Sequence, residues 1–193
     1  MFLRNCKAEH CHHFRDLHQY CLESSRTSVV RAFPNGVPSL ACNSMVPGHG
    51  LRPQSNENSQ IVFEAEPNLV HAPLRKDEPM ENRKKNGPHV VTLTLRSTDG
   101  VPFKGFFVQA QSENVDGSFG QFLIHQGPGH YGNCGNGKRT SVTHADNNRK
   151  EKILLKWISP SNFTGEVKFK ATVVRDFSHF WVDLPSNPVT VED

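Results

Sequence analysis

The sequence predicts an all-β fold, an immunoglobulin-like antiparallel β-sandwich of seven or more short strands joined by long loops. Three observations predict it. Apolar and polar residues alternate over several short runs, and turn sequences separate these runs. The chain of 193 residues contains 14 glycines and 13 prolines, which suits a loop-rich β domain. Outside the N-terminal segment no stretch shows a convincing helical period.

The clearest strands alternate between two faces. In Phe106–Gln111, one side of the strand carries Phe106, Val108 and Ala110 and the other carries Phe107, Gln109 and Gln111, a period of two that predicts a sheet strand packed on a core. In Val167–Val173 the apolar positions face the core, and Lys168, Lys170 and Thr172 are expected to face water. The other predicted strands are Ile61–Ala65, Val91–Leu95, Gly117–Ile124, Ser141–His144, Ile153–Trp157 and His179–Val182. Trp157 and Trp181 are both candidates for a buried core tryptophan.

The composition divides the chain into three parts. Residues 1–32 form an atypical, poorly ordered N-terminal segment, residues 33–183 form the sandwich, and residues 184–193 form a tail loosened by Pro185 and Pro188. Residues 66–89 are polar and predict a long exposed loop. The first residues lack the apolar run of a signal peptide, so the N-terminus alone predicts a cytosolic start.

Cysteines and histidines crowd the N-terminal segment. Cys6, Cys11, His12 and His13 are zinc-ligand types, but their spacing matches no common zinc finger. A flexible or amphipathic leader is the favoured interpretation. The chain contains five cysteines, so at least one thiol is left over if the others pair.

The net charge of the chain does not indicate any particular class of ligand. A net charge of +3 does not require nucleic acid, and no apolar run is long enough to span a membrane. Five basic residues near predicted loops or strand ends are candidates for an anion- or glycan-binding patch: Lys138, Arg139, Arg149, Lys150 and Lys152. The alternative is an ordinary solvated surface.

The sequence predicts no catalytic residue, cofactor or metal. It contains no spacing typical of a nucleophile with its base, and no carboxylates placed as an acid–base pair. The glycine-rich stretch from Gln126 to Lys138 lacks the Gly-Lys-Ser/Thr that completes a phosphate-binding loop. A second hypothesis is iron or haem binding, through the segment His10–Cys21 or through His49, His130 or His144.

Four separate pieces of the chain resemble the reeler (reelin-type) domain. They are Phe33-Pro-Asn-Gly with Cys42-x2-Met45-x-Pro47; Phe103-Lys-Gly-Phe; Val142-Thr-His144 with Lys152–Trp157; and Gly165–Val174 with Phe180-Trp-Val182. They occur in family order and cover about 150 residues, from Phe33 to Val182. The likeness is greatest to the ferric-chelate-reductase-like and reelin-domain-containing members.

The resemblance implies an extracellular, non-catalytic recognition or adhesion module, either secreted or part of a membrane protein. Its ligand would be a glycan, a heparin-like polysaccharide or another protein, and its oligomeric state is open. The alternative it implies is an accessory domain of a ferric-chelate-reductase-like membrane protein with a metal- or haem-linked role. It also implies a disulfide between Cys42 and Cys134.

One modification motif is present. Asn162-Phe-Thr164 is the only acceptable N-glycosylation sequon in the chain, and it falls in a predicted turn. If the chain is secreted, we expect Asn162 to carry a glycan.

Overall fold

The computed structural model describes residues 39–48, 50–71, 89–124, 127 and 129–192. Within them lie one short α-helix, one 3-10 turn and eleven β-strands. In chain order these are α1 (Ser39–Ser44), the 3-10 turn Asn56–Asn58, β1 (Ile61–Glu66), β2 (Leu69–His71), β3 (Val90–Ser97), β4 (Gly105–Gln111), β5 (Gln121–Leu123), β6 (Gly129–Gly132), β7 (Ser141–His144), β8 (Lys152–Ile158), β9 (Gly165–Val174), β10 (Phe180–Pro185) and β11 (Val189–Glu192).

The smaller sheet has four antiparallel strands in the order β1-β3-β8-β5. Strand β3 lies opposite β8 with Val91 beside Trp157, Leu93 beside Leu155 and Leu95 beside Ile153. These inward positions are all buried, whereas the side chains between them are partly or fully exposed. The period of two therefore fixes which face of this sheet meets the core.

The larger sheet follows the order β2-β11-β9-β4-β7-β6, and β10 pairs with the second half of β9. Its inward residues on β9 and β4 are fully or almost fully buried: Val167, Phe169, Ala171 and Val173 on β9, and Phe106, Val108 and Ala110 on β4. The predicted inward face of β9 is confirmed, and the inward face of β4 is the one with Phe106, Val108 and Ala110. Apolar residues of the two sheets form one continuous core, which confirms the all-β sandwich.

Trp157 lies at the centre of that core. Its side chain is 0 % exposed, and its indole N–H donates to the Phe119 carbonyl at 2.9 Å. The backbone of Gly120 passes so close to the indole that a Cβ there would clash with the ring, which is why this turn requires glycine. Trp181 is also buried, at 5 % exposed, so both candidate tryptophans belong to the core.

Three elements differ from the sequence-based expectations. Helix α1 forms before the first proline of the loop that follows it, because the helix-breaking residues begin only at Pro47. Strand β6 lies within the glycine-rich stretch, where the side-chain pattern gave no signal. Residues 184–192 of the predicted tail are not loose, because β10 continues to Pro185 and β11 buries Val189 and Val191 against the core.

Strand β11 pairs in two directions, antiparallel with β9 and parallel with β2. Strand β2 itself interrupts the beginning of the predicted loop after Pro67.

The interpretation of residues 1–32, including the cysteine and histidine cluster, lies outside the described residues. So does His49.

Candidate functional site: the cationic end and the strap

Residues 39–48 and 50–58, which we call the strap, lie across the outer face of the larger sheet. Met45 is 2 % exposed and packs with Phe107 and Cys134. Further along, the Gln54 amide donates to the Phe180 carbonyl at 2.8 Å, and the Asn56 side-chain amide donates to the Val182 carbonyl at 2.9 Å. The strap is thus attached along its length to the sheet it covers.

One disulfide fastens the strap. Cys42, at the end of α1, is bonded to Cys134, in the loop between β6 and β7, with the two Cα atoms 5.4 Å apart. This is the pair that the family resemblance implies. It links positions that are 92 residues apart in sequence. The Pro- and Gly-rich loop that follows Met45 therefore starts from a fixed point.

The strap also changes the environment of Thr172. The alternation of β9 predicts that this side chain faces water, but it is 3 % exposed. Its hydroxyl donates to the Met45 carbonyl at 2.7 Å, and the neighbouring Gln109 amide donates to the Cys42 carbonyl at 2.8 Å. The prediction of exposure was wrong for Thr172 because the outer face of a strand reaches solvent only where no other segment covers it.

The five basic residues predicted to form one patch lie at two opposite ends of the sandwich. Lys138 and Arg139 precede β7, whereas Arg149, Lys150 and Lys152 follow it. The four residues of β7 alone separate these groups by about 13 Å. Arg139 is further engaged, because its guanidinium carbon lies 4.8 Å from the centre of the Tyr131 ring. The five residues therefore do not form one contiguous patch.

Lys150 points inward. Its side chain is 5 % exposed, and its ammonium nitrogen lies within hydrogen-bond distance of four oxygens. Three are the backbone carbonyls of Lys104 at 3.0 Å, Asp146 at 2.9 Å and Asn148 at 2.8 Å, and the fourth is the Asp146 carboxylate at 2.9 Å. This lysine is therefore removed from the predicted surface patch and is a structural cation instead.

Two basic residues that the sequence did not single out join the remaining group. Lys104 is exposed, and the adjacent Phe103 exchanges both backbone hydrogen bonds with Lys150, at 2.9 and 2.8 Å. Arg96 on β3 lies directly opposite Lys152 on β8. We call Lys104, Arg149 and Lys152 the cationic end, with Arg96 beside it. Arg149 and Lys152 are near neighbours in sequence, but only the pairing of strands brings Lys104 and Arg96 to them.

The cationic end keeps an excess of positive charge after the nearby acidic side chains are counted. Lys104, Arg149 and Lys152 are exposed and make no ion pair with another described residue. Arg96 is partly compensated by Glu64, at 3.5 Å on the neighbouring strand. Glu151 is an exposed acid in the same connection and lowers the local charge. The cationic end is therefore a basic surface supported by paired strands.

The buried histidines are already bonded to the backbone. His89 is 2 % exposed, and because a carbonyl can only accept, its Nε2 must carry the proton that it donates to the Glu192 carbonyl at 3.0 Å. The Nδ1 atom of His144 faces the Phe106 carbonyl at 3.2 Å, and burial lowers the pKa of this imidazole. Within the described residues no three His, Cys, Asp or Glu side chains group as metal ligands do.

An acid, a histidine and a serine meet in the turn between β9 and β10. The Nδ1 atom of His179 lies 2.9 Å from both carboxylate oxygens of Asp176, and the Ser178 hydroxyl donates to one of them. Burial opposes ionisation of Asp176, but these hydrogen bonds outweigh it and lower its pKa to about 2. Because the hydroxyl and the imidazole share one carboxylate within a tight turn, the arrangement caps the hairpin and does not form a relay.

Comparison with known proteins gives a consistent result. The sequence pattern of the Reeler domain matches residues 40–193. Ferric-chelate reductase 1 of Mus musculus is 31 % identical over 163 residues, which are 83 % of this chain and 24 % of that protein. A defense protein of Antheraea mylitta is 31 % identical over 168 residues, which are 86 % of this chain and 91 % of that protein.

Solved structures agree in fold. Two fragments of the human F-spondin reeler domain superpose with TM-scores of 0.50 and 0.51, at 19 % and 20 % identity. They cover 73 % and 78 % of this chain, and 92 % and 99 % of the fragments. The chain spans about a quarter of the length of the ferric-chelate reductase relatives but nearly all of the defense protein. Because the family pattern matches residues 40–193, which are most of the chain, the chain belongs to the reeler domain family.

Proposed function

We propose that this chain is a non-catalytic extracellular recognition module that binds an anionic partner, such as a heparin-like polysaccharide, at its cationic end. The observation that carries the proposal is the grouping of Lys104, Arg149 and Lys152 on one end of a rigid sandwich. A polyanion gains most from several cations held at fixed spacing, because it releases several counterions at once. The cystine supports the extracellular assignment, since disulfides persist in oxidising compartments.

The frame beneath the cationic end supports the same proposal. Lys150 ties the loop that carries Arg149 to the backbone of Lys104, so the exposed cations need little ordering when a ligand binds. Arg96 and Lys152 are fixed by the register of two central strands. Within the described residues no helix is long and apolar enough to cross a membrane.

The test is retention on a heparin column. The triple variant K104A/R149A/K152A is expected to elute at clearly lower salt than the parent chain, and the slope of log affinity against log salt should fall by roughly one for each lost contact. The double variant K138A/R139A removes two cations from the opposite end and should leave elution nearly unchanged. E151Q removes the local acid and should delay elution.

Two results would contradict this proposal. One is a parent chain that the column does not retain at about 0.1 M salt. At this salt the screening length is about 10 Å, so cations in direct contact with heparin should still bind it. The other is a larger loss from K138A/R139A than from the triple variant, which would move the contact to the opposite end.

A second candidate is an accessory role within a larger ferric-reductase-like protein. The relatives named ferric-chelate reductase favour it, because this region is about a quarter of their length. An optical haem spectrum and metal analysis of the full chain after chelation test it. A stoichiometric metal or a haem band would support this role over simple recognition.

A further inference from the structure

The sequon Asn162-Phe163-Thr164 lies in the turn that joins β8 to β9. Asn162 and Thr164 are both exposed, whereas Phe163 between them is 8 % exposed. The Phe163 ring packs 4.8 Å from the ring of Phe119, and its amide donates to the Pro160 carbonyl at 3.1 Å. The turn is therefore anchored by its middle residue, and it presents the two sequon side chains to solvent.

The carboxamide of Asn162 is available for reaction. It makes no hydrogen bond with any described residue. Asn187 shows the contrast, because its side chain bonds the amide and the carbonyl of Ala65, each at 2.9 Å, and also contacts Asn68. Modification of Asn162 would therefore break no contact that holds the sandwich together.

We propose that Asn162 carries an N-linked glycan and that this glycan marks the end of the sandwich that faces away from the partner. The inference rests on the proposed extracellular function, because glycan transfer to this motif takes place in the secretory pathway. The donor is a lipid diphosphate-linked oligosaccharide. The Asn162 nitrogen forms a bond to the first sugar carbon, the sugar–phosphate bond breaks, the lipid diphosphate leaves, and the amide loses one proton.

The position of Asn162 relative to the cationic end gives the glycan its direction. Lys152 begins β8 and Ile158 ends it, so six residue steps, about 20 Å, separate Lys152 from the start of the turn. Asn162 lies beyond Ile158. A glycan there grows from the far end of the sandwich and leaves Lys104, Arg149 and Lys152 uncovered.

The first experiment measures the intact mass of the full chain secreted from eukaryotic cells, before and after peptide N-glycosidase. We expect a glycan-sized mass loss and conversion of Asn162 to Asp in the peptide map. N162Q and T164A should lose the shift, and T164S should keep it, because serine also completes the motif. The peptide map of the parent chain decides the matter even if a variant folds poorly.

The second experiment measures the direction of the glycan with the same heparin column. Enzymatic removal of the glycan should leave retention unchanged. R149T creates a second sequon, beginning at Asn147, at the cationic end. A glycan on Asn147 in this variant should lower retention well below that of R149A, which removes the same charge without adding a sequon.

The outcomes separate the two proposals. A secreted chain that contains the Cys42–Cys134 bond but shows no mass loss overturns the glycan while leaving the recognition function standing. A glycosylated chain that heparin does not retain overturns the polyanion ligand while leaving the modification site. Retention that rises when the Asn162 glycan is removed overturns the assigned direction.

Discussion

At the level of single residues, the buried Lys150 has oxygen partners for each of its N–H groups. An ammonium group has three N–H donors, and in this structure four oxygens surround it. Its hydrogen bond is the largest cause that lowers the pKa of Asp146, followed by the Asn148 amide. The Asp146 carboxylate is therefore stabilised in its ionised form, and the Lys150 ammonium joins the β7–β8 loop to the strand that begins after Lys104.

We predict that K150M destabilises the domain by about 2–4 kcal/mol, because methionine fills the space but leaves the buried carbonyls without a donor. K152M, which removes an exposed cation two residues later, should change the free energy of unfolding by less than about 0.5 kcal/mol. Urea unfolding of the two variants measures both values. Equal stabilities would show that the oxygens around Lys150 find water instead.

At the scale of elements, the strap converts an ordinary sheet face into a second, smaller core. The buried cluster of Met45, Phe107 and Cys134 exists only because the strap crosses the outer face of β4. Two polar side chains under the strap, Gln109 on β4 and Thr172 on the adjacent β9, donate hydrogen bonds to backbone carbonyls of the strap. If the strap detached, the side chains of Gln109 and Thr172 would have to form hydrogen bonds with water instead. The strap and this face of the sheet therefore stabilise each other.

We predict that the double variant C42A/C134A loses about 2–5 kcal/mol of stability, since the disulfide restricts a long loop of the unfolded chain. Amide exchange at Met45 and Gln54 should rise far more than exchange in the centre of β9, because the strap has fewer remaining contacts than the core. Hydrogen-exchange mass spectrometry measures this difference.

The matched variant for the strap is T172V, in which the bond to the Met45 carbonyl is removed and the disulfide is kept. A milder version of the same exchange pattern is expected. Uniform protection of the strap in C42A/C134A would contradict the idea that the disulfide fastens it.

At the scale of the whole molecule, one ion pair connects the β3–β4 turn, which leaves the smaller sheet, to the β9–β10 turn of the larger sheet. The Arg175 guanidinium donates to both carboxylate oxygens of Asp99, at 2.7 and 2.8 Å. The same guanidinium lies 5.1 Å from the centre of the Trp181 ring. Both contacts come from one guanidinium nitrogen, Nη2, and the pair lies against a buried aromatic ring at this end of the sandwich.

We predict that the stability of the parent chain falls as pH falls from about 4 to about 2. The Ser97 hydroxyl, followed by the Val101 amide and Arg175, lowers the pKa of Asp99 from 3.8 to about 2. A lowered folded-state pKa contributes stability that is present above the unfolded value and is lost as pH falls through the folded value. Thermal unfolding at several pH values should show a shallower decline for D99N than for the parent chain.

The control for this pH dependence is D116N, which removes an exposed carboxylate that makes no ion pair with a described residue. Its stability should follow that of the parent chain across the same pH range. Identical curves for D99N and the parent would contradict the assignment to Asp99.

The β-sandwich could be predicted from the amino-acid sequence, because alternation with a period of two, as in β9, separates the core-facing side chains of a strand from the others. The family motifs were likewise visible in the sequence. Other features depend on contacts between distant parts of the chain. Strand β6 lacks a side-chain pattern, β11 gains its pairing from β9 and β2, and Thr172 is buried by a segment 127 residues away in sequence. The predicted basic patch differs from the observed one for the same reason, because strand register and covering segments decide which side chains are exposed and close together. Lys150 is buried, and Lys138 and Arg139 lie at the opposite end of the sandwich. Lys104 and Arg96 lie near Lys152 instead.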